Sequence, residues 1–179
     1  MLAKVLIGLA VIAVVLAVVV AIQPSSFRVA RSAAISVPPE RVFAQVNDLH
    51  RWEAWSPWLA PDPAAKTAYE GPPAGPGAVF TWSGNSEVGE GRMTITESRP
   101  HELVRLRLDF KRPFASTSTA EFTFAPDGER TVVTWSMSGE KNFLAKALHL
   151  VMNMDTMIGG KFDEGLVQMK AVAEATARK

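Results

Sequence analysis

The chain has 179 residues and a formal net charge of +1, with 19 Lys and Arg residues against 18 Asp and Glu residues. This length accommodates one domain and a short additional segment. Lys4 is the one charged residue before residue 23, so acids and bases balance in the rest of the chain. This balance argues against nucleic acid as a partner, because nucleic-acid-binding proteins need clustered Lys and Arg. The absence of cysteine excludes disulfides, thiolate catalysis and zinc sites with Cys ligands.

The first segment, Leu2 to Ile22, is apolar except for Lys4. As a helix it would be ~31 Å long, which matches the thickness of bilayer hydrocarbon. We therefore predict a transmembrane anchor over residues 1–23 and a folded domain over residues 24–179. A cleaved signal peptide with its cleavage site near Ala21 is the alternative, although this apolar run exceeds the ~7–15 residues usual in such peptides.

The flanking charges bear on the side of the membrane on which the domain lies. Arg28, Arg31 and Arg41 follow the apolar segment, whereas Lys4 and the amino terminus precede it. The positive-inside rule then favours a single-pass membrane protein with its domain on the cytoplasmic side. Because the preceding tail is so short, the other side stays open.

The domain begins with a predicted strand, Phe27 to Val37, and continues with two predicted short helices. Two prolines fix the start of the first helix, PPERVFAQVND. Asp48 can cap the second helix, which carries Trp52 and Trp55. The second helix must end before Pro57, because proline disfavours helical geometry in the residue that precedes it.

The middle of the chain predicts an antiparallel meander. Five apolar–polar alternating segments, VFTWS, RMTITES, ELVRLRLDF, ASTSTAEFTF and TVVTWSMSG, are joined by short turns rich in Pro, Gly and Asp. A period of two assigns one set of large apolar side chains to a single buried face. These are Phe80, Trp82, Met93, Ile95, Leu106, Leu108, Phe110, Phe122, Phe124, Val133, Trp135 and Met137.

The last segment, residues 142–178, has a helical period and predicts one long helix. Its apolar stripe includes Met154, Ile158, Phe162, Leu166 and Met169 and would cover the buried face of the sheet. Gly159 and Gly160 interrupt the pattern, so a bend is expected there.

Together, RSAAISVPPERVFAQVNDLHRWEAWSPW, GRMTITES, AEFTFAP and TVVTWSMSG resemble the polyketide cyclase/dehydratase-like branch of the SRPBCC (START-like) superfamily. The resemblance covers about Phe27 to Ala175. It implies an α+β helix-grip fold, in which a curved antiparallel sheet wraps around a long C-terminal helix and encloses an apolar cavity. Members include lipid carriers, hormone receptors, cyclases and chaperone activators. Since they share no catalytic motif, the resemblance carries over no catalytic residue.

A lipid or another hydrophobic small molecule is the ligand that this arrangement would accept. The inner face and the covering helix supply the candidate lining of the cavity, and Trp58 is placed at its mouth. The predicted lining residues are Trp55, Trp58, Phe80, Trp82, Met93, Leu108, Phe110, Phe122, Trp135, Met137, Val151, Met154, Asp155, Ile158 and Phe162. For Trp52 and Trp55, ordinary core packing is the stronger interpretation. For the methionines, gap filling in a core is the stronger interpretation, and an adaptable ligand surface is the alternative.

Asp155 is the ionisable residue that the helical period places on the inner stripe. A buried carboxylate needs a partner, so pairing with a donor at a strand edge is the structural interpretation. The functional interpretation is a hydrogen bond to the polar head of a ligand.

No cofactor or metal is predicted, because His50, His101 and His149 lack the spacing of metal ligands. Two other function classes stay open. A cyclase- or dehydratase-like enzyme would need acids or bases in the cavity, for which Asp155, Arg31, Ser116 and Ser118 are the candidates. A chaperone-activator-like interaction module would need an apolar patch on the outer face of the sheet, where Thr, Arg and Glu dominate.

Overall fold

The computed structural model describes residues 1–58, 62, 64–86 and 88–175, except for the side chain of Met154. The last residues of the predicted domain, 176–179, lie outside this part of the chain. The architecture is α+β. In chain order the elements are α1 (Leu2–Ala21), β1 (Ser26–Ile35), α2 (Pro39–Asn47), a 3₁₀ helix (Leu49–Ala54), β2 (Lys66–Glu70), β3 (Val79–Ser83), β4 (Glu90–Arg99), β5 (Leu103–Arg112), β6 (Ser116–Asp127), β7 (Arg130–Glu140), α3 (Phe143–Val151) and α4 (Met154–Ala175).

The strands form one curled antiparallel sheet of seven strands in the order β1-β7-β6-β5-β4-β3-β2. Strands β2 to β7 make a meander, and β1 pairs with β7 at the far edge. The predicted helix-grip fold is therefore confirmed. Strand β2 has no counterpart among the predicted strands, because its sequence KTAYE offers a single large apolar side chain, that of Tyr69.

Two short helices follow β1, as the sequence predicts. Pro39 occupies the start of α2, and Glu40 lies in its first turn, where a carboxylate is favourable beside the helix dipole. The 3₁₀ helix begins after Asp48, whose side chain accepts a hydrogen bond of 3.0 Å from the backbone N–H of His50. Together these helices close one end of the sheet.

Trp52 and Trp55 are core residues at this closed end. The indole N–H of Trp52 donates to the carbonyl of Val46 at 2.9 Å, and that of Trp55 donates to the carbonyl of Gln45 at 3.1 Å. Both indoles pack edge-on against Phe122. Because each buried N–H has a backbone partner, the rings wedge α2 against the sheet at no polar cost.

Helix α4 covers the inner face of the sheet through a stack of three aromatic rings. Phe162 of α4 lies over Trp135 of β7 with ring centroids 4.2 Å apart, and Trp135 lies over Phe122 of β6 at 4.8 Å. Gly165 brings the helix backbone close to the sheet, since a Cβ there would lie 2.8 Å from Cζ3 of Trp135. This stack fixes α4 on the sheet.

The C-terminal segment differs from the prediction in one respect. The chain forms two helices, and the break falls at Met152 and Asn153 rather than at the two glycines. Asn153 causes the break, because its side chain accepts a hydrogen bond from the N–H of Thr156 and so caps the start of α4. Gly159 instead makes room for the Arg31 side chain, which a Cβ at that position would overlap.

The outer face of the sheet is polar and carries ion pairs across neighbouring strands. Arg105 of β5 contacts Glu97 of β4 and lies 2.8 Å from Glu121 of β6. Arg107 pairs with Asp109 along β5 at 2.9 Å. Charged cross-strand neighbours of this kind keep one face solvated while the other is buried.

The two ends of the sheet differ, and we name them for the helices beside them. At the α1 end lie the start of β1, the end of β7 and the turn between β5 and β6. At the α2 end lie the end of β1, the start of β7 and the turn between β4 and β5. α2 and the 3₁₀ helix close only the second of these ends.

The close approach at Gly165 predicts a sensitive position. Gly165→Ala should lower the free energy of unfolding by about 1–3 kcal/mol, because the added methyl group overlaps Trp135 and Pro57 in a packed core. Gly160→Ala is the matched control. A Cβ there meets nothing within 4 Å, so it should be neutral or raise stability by up to about 1 kcal/mol. Urea unfolding of the full chain in detergent, followed by tryptophan fluorescence, measures both, and equal effects would contradict the packing described.

Candidate ligand-binding site

A groove of about 600 Å³ opens at the α1 end of the sheet, between the start of β1 and the junction of α3 with α4. Its volume falls in the range of ~300–1,000 Å³ typical of small-molecule sites. It is lined by Pro24, Ser26, Phe27, Arg28, Val29, Lys141, His149, Leu150, Val151, Met152, Asn153 and Asp155. The groove therefore joins elements from the two extremes of the domain.

The side chains between the sheet and α4 are buried to different degrees. A side chain that lines a void large enough for a ligand keeps accessible surface even inside a protein. Trp55 at the α2 end, and Phe122 and Trp135 in the middle of the sheet, keep almost none and form solid core. At the α1 end, Leu108 and Met137 are only partly buried. Both side chains pack against the core cluster but keep some accessible surface at this end of the sheet.

The predicted lining residues divide into three groups along this gradient. Trp55, Phe80, Met93, Phe122, Trp135 and Phe162 are buried; Trp82, Leu108, Phe110, Met137 and Ile158 are partly buried; Trp58, Val151 and Asp155 are exposed. The side chain of Met154 is outside the described part of the chain. The partly buried group on the sheet lies towards the α1 end, which makes it the best candidate for contact with a ligand.

Val151, Asp155 and Trp58 lie outside the interface between the sheet and α4. Val151 is 81% exposed because the helix break turns it away from the stripe that continues in α4. Val151 and Asp155 nevertheless line the groove. Trp58 is 44% exposed in the loop after the 3₁₀ helix and does not line the groove.

Asp155 forms the contact that joins the start of α4 to β1. Its carboxylate lies 2.8 Å from Nη2 of Arg31. The carboxylate of Asp163, further along α4, lies 3.3 Å from Nε of the same side chain. The hydrogen bond from Arg31 lowers the pKa of Asp155, so this carboxyl group is ionised at neutral pH. Asp155 therefore has a donor from a strand edge, as the structural interpretation of the sequence expects.

The indole N–H of Trp135 is a buried donor without a partner among the described residues. Such a group costs about 1–3 kcal/mol when it is left unpaired. Its ring lies between Phe122 and Phe162, in the middle of the sheet. A ligand that reached this depth could accept a hydrogen bond there.

A second, smaller depression of about 210 Å³ lies beside the 3₁₀ helix and β2. His50 stacks on Tyr69 at 4.0 Å and lies 3.1 Å from Asp48, while the Tyr69 hydroxyl donates to Glu53 at 2.9 Å. Burial raises the pKa of Tyr69. The sequence analysis does not bring these residues together, although Tyr69 is the single tyrosine in the chain. Since Asp48 also caps the 3₁₀ helix, the cluster serves to fix this loop.

Two further observations concern metals and the membrane. Within residues 1–58, 62, 64–86 and 88–175, no group of three or more His, Asp or Glu side chains is placed to hold a metal ion. Helix α1 is long and apolar enough to cross a membrane, a property that it shares with signal sequences. The last turn of α1 is partly covered, since Val20 is 7% exposed and α1 contacts α3.

Residues 26–174 match the family described as polyketide cyclase / dehydrase and lipid transport. Because the match covers most of the chain, the protein belongs to this family, and the predicted SRPBCC membership is confirmed. Among curated proteins, no relative matches the sequence.

Solved structures share the fold at low sequence identity. Protein CV1439 from Chromobacterium violaceum is 17% identical with a TM-score of 0.59, and the match covers 85% of this chain and 99% of that one. A protein from Nitrosospira multiformis is 19% identical with a TM-score of 0.60, over 86% and 100% of the two chains. The di-domain ARO/CYC StfQ from the steffimycin biosynthetic pathway is 13% identical with a TM-score of 0.64, over 87% of this chain and 53% of StfQ. At these identities the likeness establishes the fold alone.

The Arg31–Asp155 pair predicts a pH-dependent contribution to stability. Because pairing lowers the pKa of Asp155, the stabilisation is present above the unfolded-state pKa and is lost as the pH falls through the folded-state pKa. Asp155→Asn should therefore lower Tm at pH near 7, and the difference from wild type should disappear as the pH approaches about 3.

Glu164→Gln is the control for this prediction, because Glu164 pairs with Lys161 within α4 and joins no two elements. It should change Tm less than Asp155→Asn at neutral pH. Circular dichroism melts of the full chain across this pH range measure both variants. A Tm difference for Asp155→Asn that stays constant with pH would show that the carboxylate does not act through Arg31.

Proposed function

We propose that this protein is a membrane-anchored binding domain for a lipid or another hydrophobic small molecule. Residues 1–23 would form the anchor and residues 24–179 the domain. The ligand would lie between the sheet and α4, against Trp82, Leu108, Phe110, Met137 and Ile158. The observation that carries the proposal is the accessible apolar surface that these side chains keep at the α1 end, where the groove opens.

Desolvation would supply the binding energy. An apolar ligand that buries about 300 Å² of its surface gains about 7 kcal/mol at ~25 cal/mol per Å². Micromolar binding needs about 8 kcal/mol, and lost translational and rotational freedom subtracts from the gain, so a ligand must bury more than this area to bind with micromolar affinity. The orphan N–H of Trp135 is a donor that could fix the orientation of a ligand at the inner end of the cavity.

The proposal that α1 is a transmembrane anchor is supported by its length and by its contact with the domain. Its 20 residues make a helix of about 30 Å, the thickness of the hydrocarbon core. Cleavage near Ala21 would remove Val20 with the rest of α1 and leave α3, which contacts α1, without that partner. Arg28, Arg31 and Arg41 after the helix favour a domain on the cytoplasmic side.

The family and its solved relatives are consistent with this proposal. The family description includes lipid transport beside cyclase and dehydrase activities. A cyclase- or dehydratase-like enzyme is the second candidate, since StfQ is an ARO/CYC protein. Such chemistry needs an acid or base beside the ligand. Arg31 and Asp155 pair with each other at the rim of the groove, so the binding role is the better supported one.

An interaction module is the third candidate, and the outer face of the sheet bears on it. The cross-strand ion pairs of Arg105 and the polar residues beside it make this surface charged. A chaperone-activator-like partner would thus have to bind a polar surface, for which the structure offers no apolar anchor in the described strands.

Mass spectrometry of organic extracts tests the binding role directly. The full chain, purified in a mild detergent that is absent from biological membranes, should carry one apolar molecule in a reproducible ratio to protein. Protein that is repeatedly empty, and that takes up no fluorescent fatty acid, would contradict the proposal. Recovery of a molecule that the protein has chemically altered would favour the enzyme.

A single substitution on β7 distinguishes the cavity from the rest of the surface. Met137→Trp should fill the space at the α1 end and weaken ligand binding about tenfold, since displacing roughly 55 Å² of apolar contact is worth about 1.4 kcal/mol. Ser138→Trp places the same ring on the outer face and should leave affinity unchanged. Titration with a fluorescent fatty acid measures both, and equal loss in the two variants would place the ligand elsewhere.

A further inference from the structure

Helix α3 is unusual because none of its residues is buried. An amphipathic helix on a soluble domain normally turns its apolar stripe inwards. Here the large apolar side chains of α3 and of the residue that follows it are directed to the outside. They are Phe143, Leu144, Leu150, Val151 and Met152. Exposing these apolar side chains to water costs free energy, which contact with another apolar surface or with lipid would remove.

The contact of α3 with α1 indicates that the apolar surroundings are lipid. α3 packs against α1, and Nζ of Lys146 donates to the carbonyl of Ala21 at 3.3 Å, at the end of the apolar helix. If α1 spans a bilayer, Ala21 lies at the boundary between hydrocarbon and headgroups. α3 is fixed at the same depth, and its nine residues make a rod of about 13 Å.

The charges around α3 fit an anionic lipid surface. Close to α3 lie the cations Arg28, Lys141 and Lys146 and the acids Glu140 and Asp155. Cations outnumber acids by one here, whereas the domain as a whole is neutral. Burial and Lys141 lower the pKa of His149, which keeps the imidazole of α3 uncharged at neutral pH. An uncharged ring is compatible with the hydrocarbon boundary.

From these contacts we propose that α3 is an interfacial helix embedded in the leaflet beside α1, and that it holds the groove open to the acyl chains of that leaflet. The groove lies directly beneath α3, and His149 to Met152 form part of its wall. A phospholipid acyl chain could then pass from the leaflet to the inner face of β7 without crossing water. The inference rests on the proposed function, because it needs both the anchor and the cavity.

The junction of α3 with α4 allows this arrangement. Met152 has extended backbone angles, φ −118° and ψ 127°, and separates two helices that are each capped by an asparagine. α4 stays fixed to the sheet by the Phe162–Trp135 stack and by the Arg31–Asp155 pair. α3 can therefore follow the membrane surface while α4 keeps its place on the sheet.

Depth measurements on the full chain test the position of α3. The chain has no cysteine, so one introduced cysteine carries one environment-sensitive dye. The dye is placed at Val151→Cys in α3, at Val18→Cys in α1, and at Ala125→Cys, an exposed position at the α2 end. Each variant is reconstituted into vesicles of phosphatidylcholine and phosphatidylglycerol that contain a nitroxide quencher either near the headgroup or deep in the acyl chain.

We expect a blue-shifted, shallowly quenched signal from Val151→Cys and none of this from Ala125→Cys. A water-like, unquenched signal at position 151 beside a quenched one at position 18 would overturn the interfacial helix and leave the anchored binding domain standing. Water-like signals at both positions would overturn the anchor and the inference with it.

Photo-crosslinking tests the path of the lipid. Phosphatidylglycerol with a photoreactive group on its acyl chain should label the inner face of β7, in peptides that contain Met137. Replacing Leu150 and Val151 together by Gln should reduce that labelling severalfold, because the polar side chains lift α3 out of the hydrocarbon. Val167→Gln, at another exposed apolar position in α4, is the control and should leave it unchanged. Labelling confined to α1 in the unmodified protein would overturn this path.

Discussion

The burial of one face of the sheet under α4 is the constraint on which the molecule depends. Phe162, Trp135 and Phe122 form a continuous stack from the helix through β7 to β6, and Gly165 lets the helix backbone approach it. Large aromatic rings bury the most apolar surface per residue, so a few of them hold two elements together. The stack lies in the middle of the sheet, and the two tryptophans of the 3₁₀ region add to it from the α2 end. The residues at the α1 end therefore contribute less to holding α4 on the sheet.

The α1 end of the domain is arranged differently. It combines partly buried side chains on the sheet with a groove between β1 and the α3–α4 junction. The same end carries the apolar helix α1. The groove, the accessible apolar side chains of the sheet and the apolar helix α1 thus occur together at one end of the domain.

The sequence predicts the sheet well because the period of two in strands β3 to β7 requires only local information. It does not predict β2, since Lys66–Glu70 has almost no apolar alternation. The helical period passes through the break at Asn153 without interruption, so the cap there is visible only from its hydrogen bond. The site is the hardest part to predict. Asp155 and Arg31 are separated by 124 positions, and the groove exists only because β1 and the C-terminal helices meet.

The link between α1 and β1 limits what such a protein can do. Helix α1 ends at Ala21 and β1 begins at Ser26, so even a fully extended connection reaches only about 17 Å. With Val20 packed against the domain, the tether is shorter still. If the proposed anchor and binding role hold, a domain on so short a connection would stay at the surface of its own bilayer. It would then exchange its ligand with proteins in that bilayer and not with an apposed membrane.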